Sequence, residues 1–236
     1  MLLEQQPAFV LHSRPYRETS LLLECLTRDA GRLGVVARGV RGARSRLPRA
    51  QLEPFQALLL NLQCRGELAT LRHAELSSSP LRLAGDAALA GLYINELVVR
   101  LTERQDPHPT LYAAYAQTLH RLSTGVSLSW QLRRFERDLL ASLGYAMQLD
   151  AEADGGEPLQ PNAAYTYRPE QGAVRCGAAE PNALNGSVLL ALGEDRMPDA
   201  HGLQALRGVM RELIRFYLGG VELRAWRVLR GALVRR

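Results

Sequence analysis

Arginine is the residue with which this chain can do chemistry. Every one of the 29 basic side chains in its 236 residues is arginine, and lysine is absent. A guanidinium forks onto phosphate oxygens and stacks on bases, whereas an ammonium offers only a compact point charge. A GC-rich genome alone would produce the bias, so placement carries more weight than number. Between Arg28 and Arg49, the arginines Arg28, Arg32, Arg38, Arg41, Arg44, Arg46 and Arg49 face one acid, Asp29, a net +6. From Leu203 to Arg236, eight arginines face Glu212 and Glu222, again +6, while from Asp150 to Ala200 nine acids face three arginines, −6. Basic ends around an acidic insert point to a polyanionic partner more strongly than net charge does.

The groups that catalysis would need do not come together in the sequence. His12, His73, His108, His120 and His201 are scattered, none beside a cysteine or carboxylate at metal-ligand spacing. Cys25, Cys64 and Cys176 are too few and too far apart for a disulfide framework or a four-cysteine zinc site. A phosphate loop ending in Gly-Lys-Ser/Thr is impossible without lysine, and neither Gly-x-Gly-x-x-Gly nor Gly-x-Ser-x-Gly occurs. Glu136 and Asp138, two apart on a helix, diverge rather than pair. These absences favour a binding protein over an enzyme. A nuclease, or an adaptor that contacts only proteins, remains the alternative.

The segment Gly39–Arg49 is the strongest candidate contact. It has no periodicity, so it reads as an exposed loop; Gly39 and Gly42 would let the backbone approach phosphates, while arginines displace counterions. A merely solvated loop is the competing reading. Tyr16, between Arg14 and Arg17, is the best base-stacking candidate. Phe55 reads more readily as core. The expected nucleic-acid-binding set is Arg14, Arg17, Arg38, Arg41, Arg44, Arg46 and Arg49.

Positioning these residues requires an α+β fold with a barrel first. Ala8–His12, Thr19–Leu26, Arg32–Arg38, Phe55–Leu62 and Leu68–Glu75 read as five short strands, with turns at Asp29-Ala30-Gly31 and Arg65-Gly66. Such spacing suits a five-stranded OB-fold, and an SH3-like barrel fits the pattern nearly as well. From residue 81 the period becomes helical: Ala87, Gly91, Ile94, Val98 and Leu101 form one stripe. Thr110 can cap a second helix, and a third spans Leu128–Leu143 with Leu132, Phe135, Leu139 and Leu143 on one face, stopped by Gly144. Residues 149–182 form an irregular Gly/Pro-rich insert with a small hairpin at Ala164–Tyr167 and Gly172–Cys176. Helices follow at about 183–193 and 199–218; in the latter Leu206, Val209, Leu213 and Phe216 face inward, and Arg207, Arg211 and Arg215 form a basic stripe. The expected domains are a barrel at 1–79 and a helical region at 80–236. No window approaches transmembrane length, and MLLEQQPAFVLHSR lacks the basic and apolar regions of a secretory signal, so a soluble, cytoplasmic protein is expected.

Several stretches, in order, resemble the RecO family of bacterial recombination mediators. They are Ala8–Ser20, Ala37–Arg41, Leu52–Phe55, Leu92-Tyr93-Ile94-Asn95-Glu96-Leu97, Leu132-Arg133-Arg134-Phe135-Glu136, Leu143-Gly144-Tyr145, Tyr165-Thr166-Tyr167 and Tyr217-Leu218-Gly219-Gly220. The resemblance implies an OB-fold followed by a helical domain. It implies binding of single- and double-stranded DNA, annealing of complementary strands, and action with RecR in placing RecA on strands coated by single-strand-binding protein. It further implies DNA repair in the cytoplasm at the nucleoid, no catalytic site, and binding of the acidic, apolar C-terminal tail of the coating protein. For that tail the helix Leu128–Leu143 offers Arg133 and Arg134 beside Leu132 and Phe135; pairing of these arginines with Glu136 or Asp138 over a core face is the alternative. Some members carry a four-cysteine zinc site in the insert. This chain has Leu149–Gly156 where the first pair would lie, so no zinc and no other cofactor is expected.

Overall fold

Apolar side chains alternate at Leu21, Leu23 and Cys25, at Leu33, Val35 and Ala37, and at Leu58, Leu60 and Leu62. A period of two puts each set on one face of its strand, and all nine are buried in one cluster. In the computed structural model, which describes residues 1–42, 48–125 and 127–226, that cluster fills a closed barrel. Its strands are β1 (Leu2–Tyr16), β2 (Ser20–Thr27), β3 (Gly31–Ala37), β4 (Ala57–Arg65) and β5 (Leu68–Leu76), in the order β1-β2-β3-β5-β4. Every pairing is antiparallel except β3 with β5, where Gly34, Val35 and Val36 lie beside Leu68, Ala69 and Thr70. This order is that of an OB-fold, which decides against the SH3-like alternative.

β1 is far longer than its alternating core at Ala8–His12 suggested. It serves two neighbours and bends between them, with register shifts between Leu3 and Gln6 against β4 and between Val10 and His12 against β2. Bulges of this kind supply the curvature that closure demands. The turn at Asp29-Ala30-Gly31 also needs its glycine: φ is +68° at Gly31, and a Cβ there would lie 2.2 Å from the Asp106 carbonyl oxygen. After β3 the chain reaches a 3-10 turn, Arg49–Leu52, whose Leu52 seals the barrel core.

The outward face of β1 is apolar as well, and two helices cover it. Phe9 meets the rings of Tyr112 and Tyr115 at 5.3 and 5.1 Å. Tyr112 and Tyr115 belong to α2 (Pro109–Ser123), which packs beside α1 (Gly85–Leu101). One compact unit therefore comprises Met1–Val126 with Leu223–Arg236, and the other Ser127–Glu222; α1 and α2 lie with the barrel rather than with the later helices. Thr110 does not cap α2. The helix begins one residue earlier, at Pro109, where a missing N–H is harmless, and His108 takes the cap position.

The second unit contains α3 (Leu128–Ser142), the small sheet β6 (Ala164–Arg168), β7 (Gly172–Arg175) and β8 (Leu184–Asn185), α4 (Gly186–Gly193) and α5 (Ala200–Tyr217). The helix expected at about 183–193 thus starts later, because Leu184 and Asn185 pair with β6. The hairpin forms as the sequence suggests. Leu149, Leu159, Tyr165 and Tyr167 share one core with Trp130, Leu189, Leu206 and Leu213, so the insert is part of the unit's centre. Phe216 does not face inward: it is 49% exposed, while Met210 and Ile214 join Leu206, Val209 and Leu213 inside.

Candidate nucleic-acid interface

The parallel β3–β5 contact gathers arginines that are remote in sequence. Because the two strands run together, the residues beyond Val36 and Thr70 emerge at the same end of the barrel. Arg38 follows β3 there, and Arg72 stands on β5. The β1–β2 turn contributes Tyr16, Arg17 and Glu18, and the β4–β5 turn contributes Arg65. Together they line an open cleft of about 910 Å³ that, among the described residues, holds four guanidinium groups against the single carboxylate of Glu18. An arginine-lined depression between these two turns is the geometry in which OB-folds track a polyanionic strand.

The β1–β2 turn is tied to the segment that follows β3. The Arg41 backbone N–H donates to the Thr19 carbonyl at 2.9 Å, and the Arg41 guanidinium reaches the Arg17 carbonyl at 3.4 Å. Arg41 therefore stands beside Arg17 on the rim. Arg14 on β1 and Arg49 in the 3-10 turn are exposed but do not line the cleft; Arg44 and Arg46 lie outside the described residues. Two arginines of the +6 window are spent elsewhere. Arg28 pairs with Asp29 at 2.9 Å, and Arg32 pairs with Glu24 while also donating to the Thr102 carbonyl at 2.7 Å.

Tyr16 lies in the cleft with the Arg17 guanidinium 5.3 Å from its ring centre, a cation–π contact that leaves a partly exposed aromatic surface. Phe55 packs against Gly91 so closely that a Cβ on Gly91 would be 2.7 Å from the ring, so it is a packing residue. Arg65 and Arg72 were not among the expected contacts. The turn at Arg65-Gly66 was the one available signal.

On α3 the structure separates the expected tail residues. Arg133 is 6% exposed and donates to Glu136, itself fully buried, at 2.6 Å. Phe135 is fully buried. Leu132 is partly exposed, and Arg134 pairs with Asp195 with its guanidinium 5.9 Å from the Trp130 ring. The pairing alternative thus describes Arg133. The acidic window is also partly neutralised within its own unit: Glu152 with Arg175, Glu194 with Arg196, Asp195 with Arg134 and Arg137, while Asp199 caps α5 through Gly202 N at 2.7 Å. Among the described residues no three His, Cys, Asp or Glu side chains converge as a metal site, and no helix is long and apolar enough to cross a membrane.

Two family models match most of the chain, one after the other. "Recombination protein O N terminal" covers residues 1–80 and "Recombination protein O C terminal" residues 82–227. The DNA repair protein RecO of Xanthomonas euvesicatoria pv. vesicatoria (strain 85-10) is 46% identical over 241 residues, covering 100% of both chains. That of Stenotrophomonas maltophilia (strain R551-3) is 47% identical over 233 residues, 97% of each. The chain belongs to the RecO family. Membership carries a role in DNA repair and recombination.

The RecO-like motifs have physical reasons here. In Leu92–Leu97, Asn95 donates to the Leu11 carbonyl at 2.9 Å and accepts from the Tyr115 hydroxyl at 2.6 Å, binding α1 to β1 and α2. Its neighbour Glu96 accepts from the backbone N–H groups of Arg224 and Ala225 at 2.9 and 2.8 Å. In the insert, Tyr165 donates to Glu152 at 2.8 Å and Arg175 reaches the same carboxylate at 2.7 Å.

Proposed function

We propose that this protein is a non-enzymatic recombination mediator that binds single- and double-stranded DNA through the barrel cleft and anneals complementary strands. The observation that carries the reading is the convergence of Arg17, Arg38, Arg65 and Arg72 on one open cleft. Annealing requires two strands brought together with part of their charge neutralised. Guanidinium contacts to phosphates do this by releasing counterions, independently of sequence. An open cleft with one aromatic ring holds a backbone and leaves bases free to pair.

On this reading the protein acts in the cytoplasm at the nucleoid, with RecR, to place RecA on strands coated by single-strand-binding protein. It also takes that coating protein's C-terminal tail, for which Leu132 and Arg134 are the accessible members of the α3 set. The test is annealing of complementary oligonucleotides, naked and coated, with intact duplex and single strand assayed for cleavage in the presence of divalent metal. Accelerated annealing of both substrates without cleavage is expected. Metal-dependent cleavage would make the protein a nuclease, and failure to bind DNA at low salt would make it a protein-only adaptor.

A further inference from the structure

Two motifs that the barrel reading leaves unused meet in the second unit. Leu143-Gly144-Tyr145 ends α3 and Tyr217-Leu218-Gly219-Gly220 ends α5, and the two helices stop in the same way. Gly144 N–H donates to Ala141 O at 3.1 Å and Tyr145 N–H to Leu140 O at 2.9 Å. Gly219 N–H donates to Phe216 O and Gly220 N–H to Arg215 O, both at 2.9 Å. With φ at +85° in Gly144 and +62° in Gly219, both are Schellman stops. They bring the Tyr145 and Tyr217 rings into a stack, 4.2 Å apart at 25°.

The stack borders a cleft of about 270 Å³ lined also by Tyr167, Gln148, Glu170 and Gln171. Its charge has one sign. Glu170 is the only charged lining residue among those described; it is exposed and makes no ion pair among them. The Tyr217 oxygen accepts from the Glu170 backbone N–H, which ties the β6–β7 turn to the stack; burial, and then the Glu170 charge, push the Tyr217 phenol up. Gly144 and Tyr145, just past the end of α3, and Tyr217, at the end of α5, all line the cleft. Two helix C-termini therefore add the negative ends of their dipoles. The last turn of α3 holds no basic residue. Arg215 in the last turn of α5 and Arg168 before the β6–β7 turn are exposed and do not line the cleft.

A carboxylate, two helix C-termini and tyrosine faces disfavour a phosphate and attract a cation. Among cations a guanidinium fits best, because its plane stacks on a ring while its fork meets a carboxylate; an ammonium is a point charge. Gln148 and Gln171 offer amide oxygens to its remaining N–H groups. The volume lies below the roughly 300–1,000 Å³ of small-molecule pockets, which favours a single side chain. Aromatic surface continues beyond the cleft: Tyr145 is 47% exposed, and Phe216, edge-on to Tyr217 at 5.3 Å, is 49% exposed. A segment of protein covers such a patch, whereas a free small cation does not.

We infer that this cleft is a docking site for an arginine side chain of a partner protein, its guanidinium lying on Tyr145 and pairing with Glu170 while an adjacent apolar residue covers Phe216. The inference concerns the second unit alone and does not rest on the barrel cleft.

The experiment uses the full chain and an acetylated, amidated Leu-Arg-Gly peptide, whose only charge is the guanidinium. Versions with lysine or neutral citrulline in place of the arginine are titrated beside it, with affinity read by saturation-transfer NMR. The arginine peptide should bind with a Kd of about a millimolar, the lysine version more weakly, and the citrulline version at least about tenfold more weakly. Glu170→Gln should cost the arginine peptide about tenfold and erase its advantage over citrulline. Tyr145→Ala should weaken binding as well, and Tyr145→Phe should keep it. Glu194→Gln, outside the cleft and paired with Arg196, should change nothing. Thermal melting checks each variant, and the exposed Glu170 decides the matter should Tyr145→Ala fail to fold. Equal binding of the arginine and citrulline peptides, or an arginine peptide indifferent to Glu170→Gln, overturns the inference. Sedimentation of the protein alone tests the source of the arginine. Self-association that Glu170→Gln abolishes would overturn the assignment to a partner, because a second copy of this chain would then fill the cleft.

Discussion

Asn95 of α1 donates its side-chain amide to the Leu11 carbonyl of β1 at 2.9 Å, deep in the first unit. Its amide oxygen simultaneously accepts from Tyr115 of α2, so one side chain joins three elements. Burial pushes the Tyr115 phenol well above its usual range, although the hydrogen bond to Asn95 opposes the shift. The neutral hydroxyl remains a donor at every working pH. Asn95→Ala should therefore destabilise the protein by about 2–4 kcal/mol, because it takes the side-chain partner from a buried hydroxyl and a buried carbonyl together. Tyr115→Phe should cost about 1–2 kcal/mol. Urea melts of both single variants and the double variant check this. A double variant as damaged as the summed singles would mean the two groups act separately.

In the barrel cleft, Arg17→Ala/Arg38→Ala/Arg72→Ala should weaken single-strand binding for all sequences alike. The slope of log affinity against log salt should flatten by roughly 0.7 for each phosphate that is no longer neutralised. Arg28→Ala, outside the cleft and paired with Asp29, is the control and should leave both affinity and slope unchanged. Fluorescence anisotropy across a salt series measures both quantities. A triple variant with wild-type slope would remove the cleft from the binding surface.

How much of this was readable in the chain depends on how far apart the cooperating residues lie. Alternation at Leu33, Val35 and Ala37 is local, so the strands were legible. The convergence of Arg65 and Arg72 with Arg17 and Arg38 depends on the parallel β3–β5 pairing, which no window of sequence contains. The α3 face misled for a different reason. A 3.6 period counted from apolar residues assigns Arg133 to the outside, yet with Glu136 three residues on, two opposite charges can enter a buried face together. Phe216 sits where α5 runs out, and a stripe extrapolated to a helix end no longer has a partner surface to meet.

That buried pair makes its own prediction. Arg133→Ala takes the guanidinium away from the buried Glu136 carboxylate and should destabilise by about 3–5 kcal/mol. Arg133→Met with Glu136→Leu, which removes both charges and keeps volume, should recover most of the loss. Chemical denaturation distinguishes the two. If Arg133→Ala melts like wild type but loses affinity for an acidic tail peptide, Arg133 binds that peptide directly instead of supporting the fold.

Stability should also fall in acid through Glu24. Burial alone would raise its pKa, but the hydrogen bond from Arg104 and the charges of Arg32 and Arg104 outweigh burial and lower it below 4.5. A carboxylate with a depressed folded pKa stabilises fully above its unfolded pKa and loses that contribution as pH drops through the folded value. Glu24→Gln should thus be about 1.5–3 kcal/mol less stable than wild type at pH 7. The gap should narrow steadily below about pH 4.5. Parallel urea melts at pH 7 and pH 3.5 give the comparison, and a gap that stays constant would show that Glu24 is not the titrating group.

The last prediction concerns the insert at residues 149–182, for which the sequence leads to no zinc being expected. Here its cohesion rests on the fully buried Tyr165, whose hydroxyl accepts from Gln160 N at 3.0 Å and donates to Glu152 at 2.8 Å. The Glu152 carboxylate is held below its usual range by hydrogen bonds from Arg175 and Tyr165, so it stays an acceptor through the neutral range. Gln160, Tyr165, Glu152 and Arg175 are thereby joined in one hydrogen-bonded network. Protein purified without chelator should contain zinc well below one equivalent, and adding chelator should leave the melting temperature unchanged. Tyr165→Phe keeps the ring but leaves Gln160 N–H without its acceptor, and should lower stability by about 1–2 kcal/mol. Elemental analysis and chemical melts test the two halves separately. Stoichiometric zinc, lost together with folded structure on chelation, would show that other ligands hold a metal in this module; a neutral Tyr165→Phe would show that apolar packing alone secures it.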